Sequence, residues 1–200
     1  MPGTKFSPPL VLASQSSYRA RTLQDLGFSF TQIAPKIDER ALTTSDGREL
    51  SQQLALSKCR KVVPMKPSAV VIACDQVGIC EGITLTKPGT IDRAVTQLHE
   101  CQGKVANFFT SIAVAVPGIE CPHISCVTTE LKFRSLNRHE IEHYVAIDQP
   151  LDCAGAFKIE RLGITLFERV KSEDPSALIG LPVIALITIL REAGISPLTA

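Results

Sequence analysis

The chain has 200 residues, 44% of them apolar and 20% charged, with a formal net charge of +1, enough length and apolar content to bury a full core. That balance excludes a disordered chain or a fibrous repeat, and because Lys and Arg are nowhere concentrated it also excludes a face for wrapping a nucleic-acid polymer. The longest strictly apolar run, Ala69 to Cys74, is far too short to span a membrane, and no charged segment followed by a signal-peptide core opens the chain, so neither membrane insertion nor export is expected.

In chain order, Val11–Ala13 reads as a short buried strand, followed by the polar turn Ser14–Ser17 and a helical pattern through Leu23 and Leu26 that Gly27 closes. Phe28–Ile33 alternates like a strand until Pro35 breaks it, and Glu49–Val63 has helical apolar spacing through Leu50, Leu54 and Cys59. Val70–Cys74 is the clearest central strand, ending on the polar pair Asp75–Gln76. A hairpin is expected at Glu81–Gly82, then a helix over Asp92–Cys101 before Gly103. Phe108–Val116 and Ser125–Phe133 read as neighbouring antiparallel strands, and Asn137 caps a helix reaching about Ile147. Gly163–Arg169 is strand-like, and Leu181–Ala193 is an apolar helix with Pro182 in its first turn. These elements predict one α/β domain over residues 1–200, with a mixed sheet and no linker or repeat.

Three groups of residues have the right chemistry for a site. Ser14-Gln15-Ser16-Ser17-Tyr18-Arg19 joins a buried strand to a helix start, where hydroxyls, free N–H groups and a guanidinium can cradle a phosphate; the same pattern also fits an ordinary helix cap. Asp75, at the end of the buried run, and Glu39, beside Asp38, are carboxylates able to hold a metal or orient a water, or simply to be solvated. Lys58 and Lys87 are the candidate cations, although Arg60 and Lys61 beside Lys58 fit a solvated face equally well. Cys121-Pro122-His123-Ile124-Ser125-Cys126 lacks a second ligand pair at zinc-finger spacing and reads as turn and strand. The seven Cys, odd in number and without a framework, read as free thiols in a reducing cytoplasm.

Several blocks in order resemble the Maf proteins, nucleotide pyrophosphatases once described as septum-formation inhibitors. They are Leu12-Ala13-Ser14 with Arg19, Asp38-Glu39, Lys58, Ala73-Cys74-Asp75-Gln76, Lys87-Pro88, Thr110, Phe133-Arg134-Ser135-Leu136, Tyr144-Val145, Ala154-Gly155-Ala156-Phe157 and Gly180-Leu181-Pro182. Gln76 after Asp75, the aromatic Tyr18 before Arg19, and the stretches Pro150–Gly155 and Gly163–Arg169 resemble the branch that acts on 7-methyl-GTP.

The resemblance implies a Maf/ITPase-like fold, an elongated mixed β-sheet flanked by helices, with two lobes around a central cleft. It implies cleavage of a nucleoside triphosphate between its α and β phosphates, with Asp75 as proton acceptor and Glu39 and Asp75 holding a divalent cation, magnesium or manganese. Ser14, Arg19, Lys58 and Lys87 match phosphate-binding positions, Tyr18, Gln76 and Glu160 match positions that tune base selection, and a homodimer is expected. The chain departs from the family pattern at Ser17 (Pro in the family), Ala20 (a second Arg), Thr86 and Ser111 (both Gly), and has Tyr18 where the branch tends to have Trp. Arg21, one position after the missing cation, is rotated by roughly 100° on a helix and is expected to point elsewhere. The alternatives are hydrolysis of dTTP and UTP, which Tyr18 and Gln76 disfavour, and a non-catalytic regulator of division, which retention of Glu39, Lys58, Asp75 and Lys87 disfavours.

Overall fold

The computed structural model of the chain describes residues 8–42 and 44–198. Among the described residues seven strands form one mixed sheet: β1 (Leu10–Leu12), β2 (Phe30–Gln32), β3 (Val70–Cys80), β4 (Ile83–Leu85), β5 (Val105–Ala115), β6 (His123–Phe133) and β7 (Phe167–Ser172). Their order is β2-β1-β3-β5-β6-β7, with β4 paired to β3 off this path. The pairs β2–β1 and β1–β3 are parallel and the rest antiparallel.

Five α-helices among the described residues flank the sheet: α1 (Ser17–Asp25), α2 (Gly47–Val62), α3 (Ile91–Cys101), α4 (Arg138–Asp148) and α5 (Val183–Glu192). Helix α2 covers one face, burying Ala55, Cys59 and Val62 against Val71, Ala73 and Ala113. On the other face two cores lie along the sheet. Leu23 of α1 and Leu186 and Leu190 of α5 pack on Ile72 and Ile112, while Leu98 of α3 and Ile141 and Val145 of α4 belong to a cluster with Phe108 and Phe133. The long strands β3 and β5 run from one core to the other, since Cys74 and Ile112 belong to the first and Cys80 and Phe108 to the second.

The edge of β3 opposite β5 is where a site arises. Strand β1 pairs there only with Val70–Ile72 and β4 only with Gly78–Cys80. Residues 73–77 between them have no strand partner on that edge, so a gap opens beside Asp75 and Gln76. Because successive side chains alternate across a strand, Asp75 follows Val71 and Ala73 onto the α2 face, and Gln76 follows Ile72 and Cys74 onto the opposite face.

Three expectations are corrected. Asp75 does not end its strand: β3 continues to Cys80 because the ammonium of Lys58 meets the carboxylate, and because β5 supplies partners along the whole edge. Gly163 begins no strand. Leu162–Leu166 is a 3-10 turn, tied by the Gly163 N–H to a carboxylate oxygen of buried Asp148 (3.2 Å), and β7 starts only at Phe167. Helix α5 starts at Val183 with Pro182 as its cap, and the free N–H groups of Val183 and Ile184 donate to the Ser176 hydroxyl and the Asp174 carboxylate. The Glu81–Gly82 hairpin, the antiparallel β5–β6 pair and the Asn137 cap, which is a capping box with Glu140, are as expected. No helix among the described residues is long and apolar enough to cross a membrane.

Candidate functional site

The gap along β3 opens into a cavity of about 820 Å³ that shares a wall with a second of about 400 Å³. The smaller one is lined by the Ser14–Arg19 loop together with Glu39, Lys58 and Lys87. The larger one repeats Tyr18, Arg19, Glu39, Lys58 and Lys87 and adds Asp75, Gln76 and Glu160. The nine residues proposed from the sequence for catalysis, phosphate binding, metal binding and base selection thus all lie on this one cleft.

Lys58 is the pivot. It sits on the buried stripe of α2, in register with Ser51, Leu54, Ala55, Cys59 and Val62, and is only 7% exposed. Its Nζ lies 2.7 Å from Glu39 Oε1 and makes a close ion pair with Asp75 Oδ1. Asp75, 8% exposed, is therefore held in one orientation at the open strand edge, whereas the Glu39 side chain is 57% exposed. The reading of Lys58 as a solvated lysine beside Arg60 and Lys61 does not survive: the stripe turns Lys58 inward, while Arg60 and Lys61 face water.

The Ser14–Arg19 loop follows the carboxyl end of β1, where ligands of parallel sheets commonly bind. Ser14 is buried; its Oγ accepts from the Ser16 N–H (3.1 Å) and from Arg19 Nη1 (3.3 Å), and its carbonyl accepts from Gln32 Nε2 (2.7 Å). Ser16 caps α1 by accepting from the Arg19 N–H, so the loop is both a cap and part of the cavity wall. Arg19 Nε donates to the Gly180 carbonyl at 2.8 Å. Gly180 has a φ of +117°, which glycine adopts at little cost, and this turn aims its carbonyl at Arg19 and at the Cys74 thiol. Ala20 is buried among the α1 and α5 core residues, and Arg21 points outward to Asp25, as expected of a helix position one step on.

The base-selecting candidates occupy the larger cavity. Gln76 Nε2 lies within hydrogen-bond reach of Thr110 Oγ1 (3.0 Å) and the carbonyls of Ala177 (3.1 Å) and Leu178 (3.3 Å). The amide nitrogen is thus spent on protein acceptors, which leaves the Gln76 carbonyl oxygen to accept from a ligand. Cys153 Sγ lies 3.7 Å from the Tyr18 hydroxyl. Burial first, then the contact with Cys153 and the charges of Asp152 and Glu160, push the Tyr18 phenol up, so it stays neutral at any physiological pH. Burial likewise pushes the Cys153 thiol up to about 11.

Lys87 is aimed by its neighbours. The Gln97 side chain on α3 brackets the backbone of Thr86, donating to its carbonyl and accepting from its N–H, both at 3.1 Å, and the Gly89 N–H donates to the Leu151 carbonyl. Ser111, on β5, shares a buried hydrogen bond of 2.7 Å with Ser51 on α2.

Sequence reasoning missed Lys36, Asp152 and Cys153 on the cavity walls, and Gln97 behind them. The signal for Asp152 and Cys153 was present in the Pro150–Gly155 stretch; for Lys36 there was none, because its backbone turn follows from packing.

Among the described residues no group of three or more His, Cys, Asp or Glu side chains converges. Glu39 and Asp75, facing each other across the Lys58 ammonium, are a pair of hard oxygen donors. Two carboxylates suit magnesium or manganese shared with substrate phosphates better than a closed protein cage.

The curated relatives match almost end to end. The 7-methyl-GTP pyrophosphatase of Saccharophagus degradans is 41% identical over 98% of this chain and 99% of its own length. Those of Idiomarina loihiensis and Xanthomonas campestris pv. campestris are each 42% identical, over 95% and 94% of this chain and 97% and 98% of their own. Among solved structures, the Staphylococcus aureus Ham1 protein aligns at 15% identity with a TM-score of 0.47, covering 64% of this chain and 72% of that one, a likeness below the level at which a shared fold is inferred. A sequence model described as Maf-like protein matches residues 9–193, and with these relatives it establishes that the chain belongs to the Maf family.

Proposed function

We propose that this protein hydrolyses 7-methyl-GTP between its α and β phosphates, releasing 7-methyl-GMP and pyrophosphate. The observation that carries the reading is the Glu39–Lys58–Asp75 array beside the Ser14–Arg19 loop, a fixed carboxylate next to a cationic cavity, in a chain that is near-identical in length to pyrophosphatases of that name.

In this reading Asp75 accepts a proton from a water as its oxygen bonds to the α phosphorus. The bond from that phosphorus to the bridging oxygen breaks, and its electron pair leaves with pyrophosphate. Arg19, Lys58 and Lys87 neutralise the phosphates, most strongly as negative charge builds on the leaving group, and the Ser14 hydroxyl donates a hydrogen bond to them. Magnesium or manganese, held by Glu39 and Asp75 with the phosphates, would supply further neutralisation there.

Base selection follows from charge and hydrogen bonding. Methylation at N7 makes the guanine cationic, and the face of Tyr18 with the carboxylate of Glu160 favours that cationic base over the neutral guanine of GTP. The Gln76 carbonyl oxygen suits the N–H groups of a guanine edge. All seven thiols are free, which supports a reducing cytoplasm as the working compartment.

The test is pyrophosphate release by the purified protein with magnesium or manganese, comparing 7-methyl-GTP, GTP, UTP, dTTP and CTP, with Asp75→Ala as control. Selective turnover of 7-methyl-GTP that vanishes in the variant is the expected result. Preference for UTP and dTTP would reject the base assignment, and absence of turnover in a folded protein would reject the hydrolase.

A further inference from the structure

The smaller cavity carries more positive charge than its carboxylates pair. Four cations line it, Arg19, Lys36, Lys58 and Lys87, against Glu39 and Asp152. Lys58 is already committed to Glu39 and Asp75. Among the described residues, none of the other three forms a salt bridge, so the cavity holds three cations with no carboxylate partner. Arg19 is the one cation that helix α1 brings to the cavity, because Ala20 is buried in the core and Arg21 pairs with Asp25 at the surface.

Lys36 reaches this wall through an unusual backbone. Its φ is +21°, a region that residues with a Cβ rarely enter, and the preceding Pro35 is buried. The Ile33 N–H donates to the Leu12 carbonyl, which ties the start of this segment to the end of β1. Two loops therefore leave the carboxyl ends of adjacent parallel strands together, one carrying Ser14–Arg19 and the other Pro35–Ile37, and both line the same cavity. Ammonium and guanidinium groups gathered in one concavity without carboxylate partners repel each other until an anion enters, and their field raises the local concentration of such an anion.

We propose that Lys36 is a phosphate-binding residue that, with Arg19 and Lys87, grips the β and γ phosphates of the nucleoside triphosphate and then the pyrophosphate released from it. The identity of the full substrate rests on the hydrolase reading above. The binding chemistry, a polyphosphate against three cations without carboxylate partners, does not depend on the base.

The experiment is calorimetric titration of inorganic pyrophosphate, and separately of 7-methyl-GMP, into wild type, Lys36→Gln and Lys36→Arg at fixed magnesium. Lys36→Gln should weaken pyrophosphate about tenfold, the loss of one charge-assisted contact, while Lys36→Arg stays within roughly twofold of wild type. Binding of 7-methyl-GMP, which lacks the outer phosphates, should not change. Unaltered pyrophosphate affinity in Lys36→Gln, or equal weakening of both ligands, would overturn the assignment. The two readings fail separately: Lys36-dependent pyrophosphate binding in a protein that does not turn over 7-methyl-GTP would retain this inference and remove the hydrolase, and active enzyme with Lys36-independent binding would do the reverse.

Discussion

Replacing Lys58 by Met removes the ammonium while keeping most of the aliphatic stem on the α2 stripe. Asp75 is left as a carboxylate 8% exposed with no cation beside it and with Glu39 as a neighbouring like charge. Removing one partner of a fully buried pair costs about 3–5 kcal/mol, because the survivor stays desolvated. Here the cleft admits water along the open edge of β3 and the half-exposed Glu39 can swing outward, so the lower end applies, about 3 kcal/mol. For a chain of this length that lowers Tm by about 6–12 °C. Equilibrium urea unfolding of Lys58→Met, Asp75→Asn and the double variant measures it directly. The double variant buries no unpaired charge and should lie within about 1 kcal/mol of wild type. A loss below about 1 kcal/mol in Lys58→Met, or a double variant as unstable as the sum of the two, would refute the claim that Lys58 and Asp75 are a coupled buried pair.

Thr110→Val keeps the side-chain shape but removes the hydroxyl that accepts from Gln76 and donates to the Ala177 carbonyl, so it should cost about 1–2 kcal/mol in urea and raise KM for 7-methyl-GTP with little change in kcat. An unchanged KM would show that the Gln76 amide needs no anchor at Thr110. Stability should also fall as the solution is made alkaline. Burial raises the Cys59, Cys74 and Cys153 thiols from an ordinary 9.0 to about 11, so between those values the unfolded chain has released protons that the folded chain still holds, and each rise in pH favours unfolding. Unfolding midpoints at pH 8, 9, 10 and 11 should be level up to about pH 9 and then decline; a curve flat to pH 11 would contradict the burial of these thiols.

Much of the sheet was legible because its signals are local. Alternation and apolar runs located β1, β5 and β6, and Asn137 with Glu140 marked the start of α4. What failed were boundaries set by distant partners: Asp75 reads as a strand end until Lys58, 17 residues away, is seen to neutralise it. The start of α5 likewise depends on Asp174 and Ser176 supplying the cap that Pro182 cannot. In the site, residue type and the family blocks pointed to Ser14, Arg19, Glu39 and Asp75. The inward turn of Lys58 was readable too, as the polar member of a stripe Ser51, Leu54, Ala55, Cys59 and Val62, but Arg60 and Lys61 masked it. Lys36 and Gln97 act through a backbone turn and a cross-element hydrogen bond, neither of which leaves a pattern in sequence.

In the proposed reaction Asp75 directs a water onto the α phosphorus of 7-methyl-GTP. Hydrolysis in water enriched in heavy oxygen, followed by mass spectrometry of both products, tests it most directly. The label should appear in 7-methyl-GMP and not in pyrophosphate, with no labelled product from Asp75→Ala. Label in pyrophosphate, or release of orthophosphate in its place, would mean attack at an outer phosphorus and contradict this role of Asp75.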